Sequence, residues 1–313
     1  MKIRLFFILT LIITLNFVLH AQDVWKATNG PGAGYVYSLA LDSSGQVFAG
    51  TGANGVYQYK AGQPWKQISV ELEGTVAYAV AVDNMGHLFT GTDDGIFVSK
   101  DEGGKWVEVR RGLKNTYITS LTVAKNKEII FAGTAGGGVH KSTDDGETWT
   151  AVNYGLGDMS ILSLVIDKDG HLYAGTSTKG LYKSADNGAT WRAVGKWSPS
   201  TSILCIAVNN NNHLFAGTRI GLFRSTDDGA RWTKLEQGLS ANAFYALSFC
   251  KHGTVYAGTE QGIFRSDNDG QSWESDEAGM KDVAVISLVT NDEDAIFAGT
   301  QTGFVFIHKF EDH

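Results

Sequence analysis

Short apolar runs, separated by polar turns rich in Gly, Asp and Asn, recur along the chain. Residues 162–194 hold four of these runs, at 162–166, 171–176, 181–184 and 191–194. Apolar runs of this length, bounded by turn residues, predict β-strands joined by hairpins. The second run of each unit contains an aromatic residue, then Ala or Thr, then Gly-Thr. This tetrapeptide occurs seven times at steps of 41 or 42 residues, beginning at Phe48, Phe89, Phe131, Tyr173, Phe215, Tyr256 and Phe297.

Four strands repeated at this period predict one blade of a β-propeller. Strands so short cannot bury both of their faces alone, so the blades have to stack around a common axis. The sequence therefore predicts an all-β fold, a seven-bladed β-propeller with four-stranded blades.

The two ends of the chain are predicted to share one blade. The seventh repeat ends after its third strand, at 304–309, and residues 24–27 resemble the fourth-strand residues 232–235. Trp25 lies 23 residues before Phe48, and the other repeated tryptophans lie 24 or 25 residues before their own aromatic. We expect an N-terminal strand to join the C-terminal blade, because this closes the ring and removes open sheet edges.

The turn before the fourth strand repeats the pattern S-x-D-x-G-x-T-W. Residues 142–149 and 184–191 match it throughout, whereas Lys105, Arg231 and Asn268 replace one motif residue each in three further copies. The pattern resembles the Asp-box, or bacterial neuraminidase repeat. We assign structural roles to the motif residues of its five copies, which are Ser99, Asp101, Gly103, Trp106, Ser142, Asp144, Gly146, Trp149, Ser184, Asp186, Gly188, Trp191, Ser225, Asp227, Gly229, Trp232, Ser266, Asn268, Gly270 and Trp273.

We interpret these motif residues as scaffold. An Asp in a hairpin turn can accept backbone N–H bonds, the Gly adopts a backbone angle that other residues resist, and the Trp buries a large ring. Calcium ligation by the motif carboxylates is the alternative, since acidic turns attract hard cations, but the spacing is not that of a twelve-residue calcium loop. We expect no metal and no cofactor.

Residues 1–21 are predicted to be a secretory signal peptide, and residues 22–313 the propeller. Lys2 and Arg4 precede an apolar run at 5–18, and Ala21 marks the expected cleavage position. An uncleaved membrane anchor is the alternative, although the run is short for a span. We expect a secreted or periplasmic, monomeric protein without a membrane span after cleavage.

Charge and cysteine content narrow the function classes. After signal removal the chain has 24 basic and 33 acidic residues, a net charge near −9, which argues against a nucleic-acid partner. Cys205 and Cys250 stand four residues out of register on neighbouring strands, so both are expected to be unpaired.

The candidates for ligand binding lie on the face opposite the repeated motif. Turns and links on that face vary from blade to blade, and variation on a repeated scaffold is where a specific site can be built. Aromatic rings there suit stacking on sugars or packing against a protein, although they could instead plug the channel mouth. Trp197, the one Trp outside the repeat register, is expected to be partly exposed beside that mouth. The candidates are Trp197, Tyr35, Tyr37, Tyr78, Tyr117, Phe244, Tyr245, Arg110, Arg111 and Arg219.

The function predicted from these observations is non-catalytic binding of a protein or a glycan. The whole chain resembles secreted seven-bladed Asp-box propellers, among them photosystem II assembly-factor-like proteins and the sensor propellers of hybrid regulators. The assembly factors carry an arginine patch that this chain lacks, so their particular partner is not expected here.

A glycoside hydrolase, sialidase-like or xyloglucanase-like, is the alternative function. Sialidases resemble this chain only in the Asp-boxes. They use three arginines and a Tyr–Glu pair, whereas Arg110, Arg111 and Arg219 are scattered over two regions here. Xyloglucanase-type hydrolases need a carboxylate from each of two facing propellers. No catalytic residue is predicted.

Overall fold

The computed structural model describes residues 24–124, 129–276, 278–280, 282–291 and 293–309. Within them, seven antiparallel four-stranded sheets form a closed ring, because each first strand contacts the first strands of both neighbouring sheets. The predicted seven-bladed β-propeller is confirmed. The proposed signal peptide lies outside the described residues.

Blades one to six each use four consecutive strands, and blade seven takes its fourth strand from the N-terminal end. The strands of blades one to three are β2 Val36–Leu41, β3 Val47–Thr51, β4 Val56–Tyr59, β5 Lys66–Gln67, β6 Ala79–Val82, β7 Leu88–Gly91, β8 Ile96–Ser99, β9 Val107–Val109, β10 Ile118–Ala124, β11 Ile129–Thr134, β12 Gly138–Ser142 and β13 Thr150–Ala151. The remaining strands are β14 Ile161–Ile166, β15 Leu172–Thr176, β16 Leu181–Ser184, β17 Arg192–Val194, β18 Ile203–Val208, β19 Leu214–Thr218, β20 Leu222–Ser225, β21 Thr233–Leu235, β22 Phe244–Phe249, β23 Val255–Thr259, β24 Gly262–Ser266, β25 Glu274–Ser275, β26 Val285–Thr290, β27 Ile296–Thr300, β28 Phe304–His308 and β1 Lys26–Pro31. One short 3-10 helix, Val70–Leu72, lies in the link between blades one and two.

The N-terminal strand closes the ring as predicted. Strand β1 pairs antiparallel with β28, with Lys26 opposite Ile307 and Ala27 opposite Phe306. Trp25 is buried in the core between blades six and seven, and its ring stacks on His308 at 5.3 Å. The pairing begins two residues later than the sequence suggested.

Two residues of the repeated tetrapeptide have the same task in every blade. The Thr hydroxyl donates a hydrogen bond across the following hairpin, as Thr51 does to the Gly55 carbonyl at 2.9 Å, and this donation recurs in all seven blades. The Gly lets the next blade approach, because a Cβ on Gly91 would stand 2.4 Å from Ile118. Hydrogen bonding by the Thr and close packing at the Gly therefore explain why both residues recur in every blade.

The antiparallel order of each blade creates two unlike faces. The motif face carries the turns between first and second strands and between third and fourth strands. The opposite face carries the turns between second and third strands and the links that enter each first strand. Both cysteines are buried and unpaired, as expected.

Candidate functional site

On the motif face, the repeated turn is a closed hydrogen-bond unit. In blade three, Asp144 accepts bonds from Ser142 Oγ at 2.8 Å, from the Thr148 N–H at 2.9 Å and from the Thr148 hydroxyl at 2.5 Å, while the Gly146 N–H donates to Ser142 Oγ. Trp149 is buried, and its Nε1 donates to the Gly146 carbonyl at 3.0 Å. The same pattern of bonds to the Ser and the Asp or Asn recurs in the other four copies.

These bonds stabilise the charged carboxylate. Hydrogen bonds from Thr190 lower the pKa of Asp186 to about 2, and the Arg231 side chain lowers the pKa of Asp227 to about 2. Because their lone pairs are directed at the turn's own donors, the motif carboxylates act as structural groups, which is the role expected from their spacing.

The residue after the motif Asp ties neighbouring blades together. In blade five this residue is Asp228, whose backbone has a positive φ of 58°. Its carboxylate accepts bonds from Lys183 Nζ at 2.6 Å and from the Tyr173 hydroxyl at 2.9 Å, both in blade four. Lys183 is only 5% exposed, so this contact neutralises a buried ammonium group. In blade six, Asp269 contacts Arg224 and His213 of blade five in the same way.

On the opposite face, four of the candidate tyrosines form one continuous row. Ring centroids are 5.6 Å apart for Tyr35 and Tyr37, 5.3 Å for Tyr37 and Tyr78, and 4.9 Å for Tyr78 and Tyr117. The row runs across the starts of the first strands of blades one to three, at the mouth of the central channel. The two outer rings, Tyr35 and Tyr117, are 47% and 40% exposed.

A backbone irregularity directs part of this row. Strand pairing shifts register between Val36 and Ser38, so Tyr37 falls at a β-bulge, and bulges re-aim side chains. A hydrogen bond with Tyr117 raises the pKa of Tyr78, and burial raises the pKa of Tyr37. Both phenols therefore stay neutral at physiological pH.

Exposed apolar side chains concentrate on the same face. Seven of the ten large exposed apolar residues described belong to its turns, its links or the strand ends that these join, whereas Met85 lies on a motif-face turn and Val24 and Val107 lie at or just before the starts of fourth strands. Those on the opposite face are Tyr35, Val70, Tyr117, Tyr154, Met159, Ile220 and Phe304. Apolar groups collected on one face are typical of an interaction surface.

The second-to-third turns of blades one to three form a rim beside the tyrosine row. This rim has charged residues in its middle and mostly small residues at its ends. Blade two contributes Asp93 and Asp94, whereas blades one and three contribute the small turns 52–53 and 135–137. The Thr116 hydroxyl donates to the Asp93 carbonyl at 3.2 Å, so the Asp93 turn contacts the segment that leads into Tyr117. Asp93 is not among the ligand-binding candidates predicted from the sequence, and its side chain is exposed in this turn. Its turn lies one strand from Tyr78 in the same blade, but only the fold shows that it meets the next blade's link.

The candidate arginines do not come together. Arg110 pairs with Asp94 at 2.6 Å and with Glu108. The Arg111 side chain is exposed, and its carbonyl accepts the Trp149 N–H at 2.9 Å. Arg219 is exposed in the turn of blade five, away from the other two.

Two candidates occupy positions other than those expected. Phe244 corrects the prediction: it is fully buried in the core between blades five and six, against Gly217 of the preceding blade, so it cannot reach a ligand. The aliphatic residues at its repeat position were the signal for this burial: Val36, Ala77, Ile118, Ile161, Ile203 and Val285. Its neighbour Tyr245 is half-buried in blade six, apart from the tyrosine row.

Trp197 lies at the outer strands and not beside the channel mouth, which corrects its expected position. Its half-buried ring packs on Trp232 at 4.9 Å and on Phe223 at 5.5 Å. Its Nε1 donates to the Val194 carbonyl at 2.8 Å. A Cβ on Gly180 would stand 2.4 Å from the ring, which shows how closely the backbone approaches it. Packing between blades four and five therefore accounts for this residue.

Two groups of side chains on the motif face have the donor atoms of a cation site. Asp83, His87 and Asp145 form one group, and Asp167, Asp169 and His171 form the other, each with ligand atoms within 4.8 Å of one another. Asp83 and Asp167 already accept the N–H groups of their own turns. His171 Nδ1 is hydrogen-bonded to Asp167 at 2.9 Å, and His87 Nδ1 lies 3.0 Å from Asp83. The turns themselves account for this arrangement.

A cavity of about 600 Å³ opens on the motif face between blades seven and one. Its walls include Tyr59, Ala61 and Gly62, where blade one has lost the repeated motif, and Phe297 and Ile307 of blade seven.

Comparison with known proteins supports the fold. The family profile of the DUF6242 beta propeller domain matches residues 201–313, and that of the two component regulator propeller matches residues 155–178. No curated protein matches this sequence. No helix among the described residues is long and apolar enough to span a membrane.

Solved structures with the same architecture come from several classes of protein. The extracellular domain of a one component system from B. thetaiotaomicron is 18% identical with a TM-score of 0.78, over 93% of this chain and 40% of that one. YCF48 bound to D1 peptide is 16% identical with a TM-score of 0.75, over 92% and 95%. The GH74 xyloglucanase of Xanthomonas campestris is 18% identical with a TM-score of 0.74, over 92% and 54%. This chain thus spans about two fifths of the first protein, and at these identities the likeness establishes a seven-bladed propeller fold.

Proposed function

We propose that this protein is an exported, non-catalytic propeller that binds a segment of another protein on the face opposite the repeated motif. The observation that carries the proposal is the row of Tyr35, Tyr37, Tyr78 and Tyr117 across the channel mouth. Tyr supplies a large contact area with few rotatable bonds, so little conformational entropy is lost when such a surface binds.

The geometry of the row favours protein over glycan. Sugar rings stack on open aromatic faces, but successive rings here are tilted by 63°, 46° and 47° and contact one another. They form a ridged apolar surface, which suits side chains of a polypeptide better than flat pyranose rings. The similarity to YCF48, which was solved with a peptide and matches over nearly its full length, supports the same choice.

The carboxylates of the opposite face favour binding over hydrolysis. Glycoside hydrolysis uses a pair of carboxylates about 5–10 Å apart with access to the sugar. Asp158 accepts four bonds from Ser160, Ser177 and Thr178, and Glu260 accepts the N–H groups of Asn242 and Ala243. Asp94 pairs with Arg110. Asp158 and Glu260 thus serve their own loops, and Asp94 is engaged by an arginine.

Export rests on the residues before the propeller. The Lys2–Arg4 start, the apolar run and Ala21 favour a cleaved signal peptide, and several structurally similar propellers are extracellular domains. Mass spectrometry of the exported fraction should find a chain that begins at Gln22. An intact Met1 species in the cytosol would contradict this part of the proposal.

Peptide selection tests the binding function. Random peptides of about ten residues, long enough in extended form to cross the row, are displayed on phage and selected on the mature chain. We expect the selected peptides to lose about tenfold or more in affinity for Tyr78→Ala, because that change interrupts the row at its centre. Met85→Ala, which removes an exposed apolar side chain from the motif face, is the matched control and should bind normally.

Three results would overturn the proposal. Selected peptides could bind Tyr78→Ala as well as the wild type, which would place binding elsewhere. A glycan array could show ligands that compete for the tyrosine row, which would replace the protein partner by a carbohydrate. Turnover of a glucan or sialoside by the purified chain would establish the hydrolase alternative.

A further inference from the structure

A turn between second and third strands borders each end of the tyrosine row. At one end the Gly52 N–H bonds the Tyr35 carbonyl at 2.8 Å, and at the other the Ala135 N–H bonds the Tyr117 carbonyl at 3.0 Å. Small residues dominate both turns, with Gly52-Ala53 before Asn54 at one end and Ala135-Gly136-Gly137 at the other. An extended chain can therefore pass over one low rim, follow the rings and leave over the other.

The length of the row fits a short extended segment. Its three ring spacings are 5.6, 5.3 and 4.9 Å. At about 3.3 Å per residue of extended chain, roughly five residues would follow it from end to end. Side chains on alternate positions would then face the rings and the rim.

One carboxylate stands beside the middle of this path without a partner. Asp93 is exposed, and within the described residues its carboxylate makes no ion pair or hydrogen bond. Its charge adds to the effects that raise the pKa of Tyr78, after the hydrogen bond with Tyr117 and burial. The adjacent Asp94 differs, because Arg110 neutralises it at 2.6 Å.

Arg110, which pairs with the adjacent Asp94, also pairs with Glu108, so two carboxylates engage its guanidinium. A free carboxylate next to neutral aromatic rings is the environment in which an Arg or Lys side chain gains both a charge-assisted hydrogen bond and a cation–π contact.

We propose that the tyrosine row binds an extended protein segment carrying an Arg or Lys side chain, which packs on Tyr78 and pairs with Asp93. This inference rests on the proposed binding function and adds the chemistry of the partner. Tyr78 and Tyr117 supply the faces for the aliphatic stem and the cation, and Asp93 supplies the opposite charge.

The selected peptides provide the probe. Each is synthesised with a fluorescent label, and its dissociation constant is measured by anisotropy against the wild type, Asp93→Asn and Asp94→Asn. We expect enrichment of Arg or Lys, a loss on the order of tenfold with Asp93→Asn, and an unchanged constant with Asp94→Asn. Replacing the enriched Arg by citrulline, which has nearly the same shape without the charge, should cause at least the loss seen with Asp93→Asn. In the Asp93→Asn variant the same replacement should cause a smaller loss than in the wild type, because only the cation–π contact remains to be removed.

The outcomes separate this inference from the proposed function. Peptides that require Tyr78 but bind Asp93→Asn and the wild type equally would overturn the cationic partner and leave the binding function intact. Peptides indifferent to Tyr78→Ala would overturn both. Equal losses with Asp93→Asn and Asp94→Asn would also overturn the inference, because they would show a general charge effect and not a specific pair.

Discussion

The two faces of this propeller use similar residue types for different purposes. On the motif face, Asp144 and its repeats accept bonds from their own turns, and Trp149 and most of its repeats are buried. On the opposite face, Asp93 is unpaired among the described residues, and Tyr35 and Tyr117 are exposed at the channel mouth. One face repeats the same contacts five times, whereas the other differs in each blade.

This difference follows from what each face contributes to folding. Fourth strands are short, so in the five blades that carry the motif its turn and its Trp hold the outer strand in place. No such requirement acts on the second-to-third turns beyond the buried Thr hydrogen bond. Their remaining side chains are free to form a site, and substitutions on the two faces should separate into effects on stability and effects on binding.

Removal of a motif Trp should have the largest effect. Trp149→Ala is expected to lower the free energy of unfolding by about 3–5 kcal/mol, because the ring is buried and its loss leaves a cavity between blades two and three. Tyr117→Ala, an exposed aromatic in the same blade, should cost less than about 1 kcal/mol. Denaturant unfolding of both variants measures the difference, and equal losses would show that the faces do not differ as described.

Removal of the ion pair between blades four and five should have the second largest effect on stability. Asp228→Ala leaves Lys183, which is almost fully buried, without its carboxylate, and should lower the free energy of unfolding by about 2–3 kcal/mol. This is below the usual loss for a buried pair, because Asp228 itself is about half exposed and solvent screens its charge.

The control for this pair is removal of both charges. Lys183→Met combined with Asp228→Ala should recover part of the loss, because no unpaired ammonium remains to be buried. If the double variant loses as much unfolding free energy as Lys183→Met and Asp228→Ala lose together, the contact stabilises the fold by packing and not by charge neutralisation.

Trp197→Ala tests whether the burial of a side chain, and not only the face on which it lies, decides how far its removal lowers stability. Its ring contacts Trp232 and Phe223, so its removal should lower the free energy of unfolding by about 2 kcal/mol, less than a fully buried Trp because the ring is half-buried. Peptides selected on the tyrosine row should bind the variant normally. Unchanged stability together with weaker binding would restore the ligand-contact role expected from the sequence.

Trp197 and Phe244 show where prediction from sequence ends. The blade count, the ring closure and the tryptophan register were predictable because each rests on a contact that recurs at a fixed period. Trp197 occurs once, so no repeat reveals its neighbours, and they come from the next blade. Phe244 was predictable from its aliphatic repeat position, but it was grouped with its neighbour Tyr245, which the bulge turns the other way. The Asp93 position depends on a contact between blades that spacing along the chain does not encode.

The smallest expected effect concerns the motif face alone, where blade six carries Asn268 in place of the motif Asp. Asn268 Oδ1 accepts the Ser272 N–H at 2.9 Å, and its Nδ2 donates to Ser272 Oγ at 2.8 Å. With Asn268→Asp the Ser272 hydroxyl can donate instead, as Thr190 does to Asp186, whose pKa these bonds lower to about 2. A carboxyl with a pKa lowered by folding stabilises the native state above its unfolded pKa of about 3.9, and this stabilisation is lost as the pH falls through about 2. The melting temperature should therefore rise by about one degree at pH 7, and the gain should disappear between pH 4 and 2.

Asp186→Asn is the matched reverse change and should show the opposite trend. A lower melting temperature for Asn268→Asp at pH 7 would mean that repulsion from Asp267 and Asp269 exceeds the gain from the turn, and that the five motif copies are not equivalent.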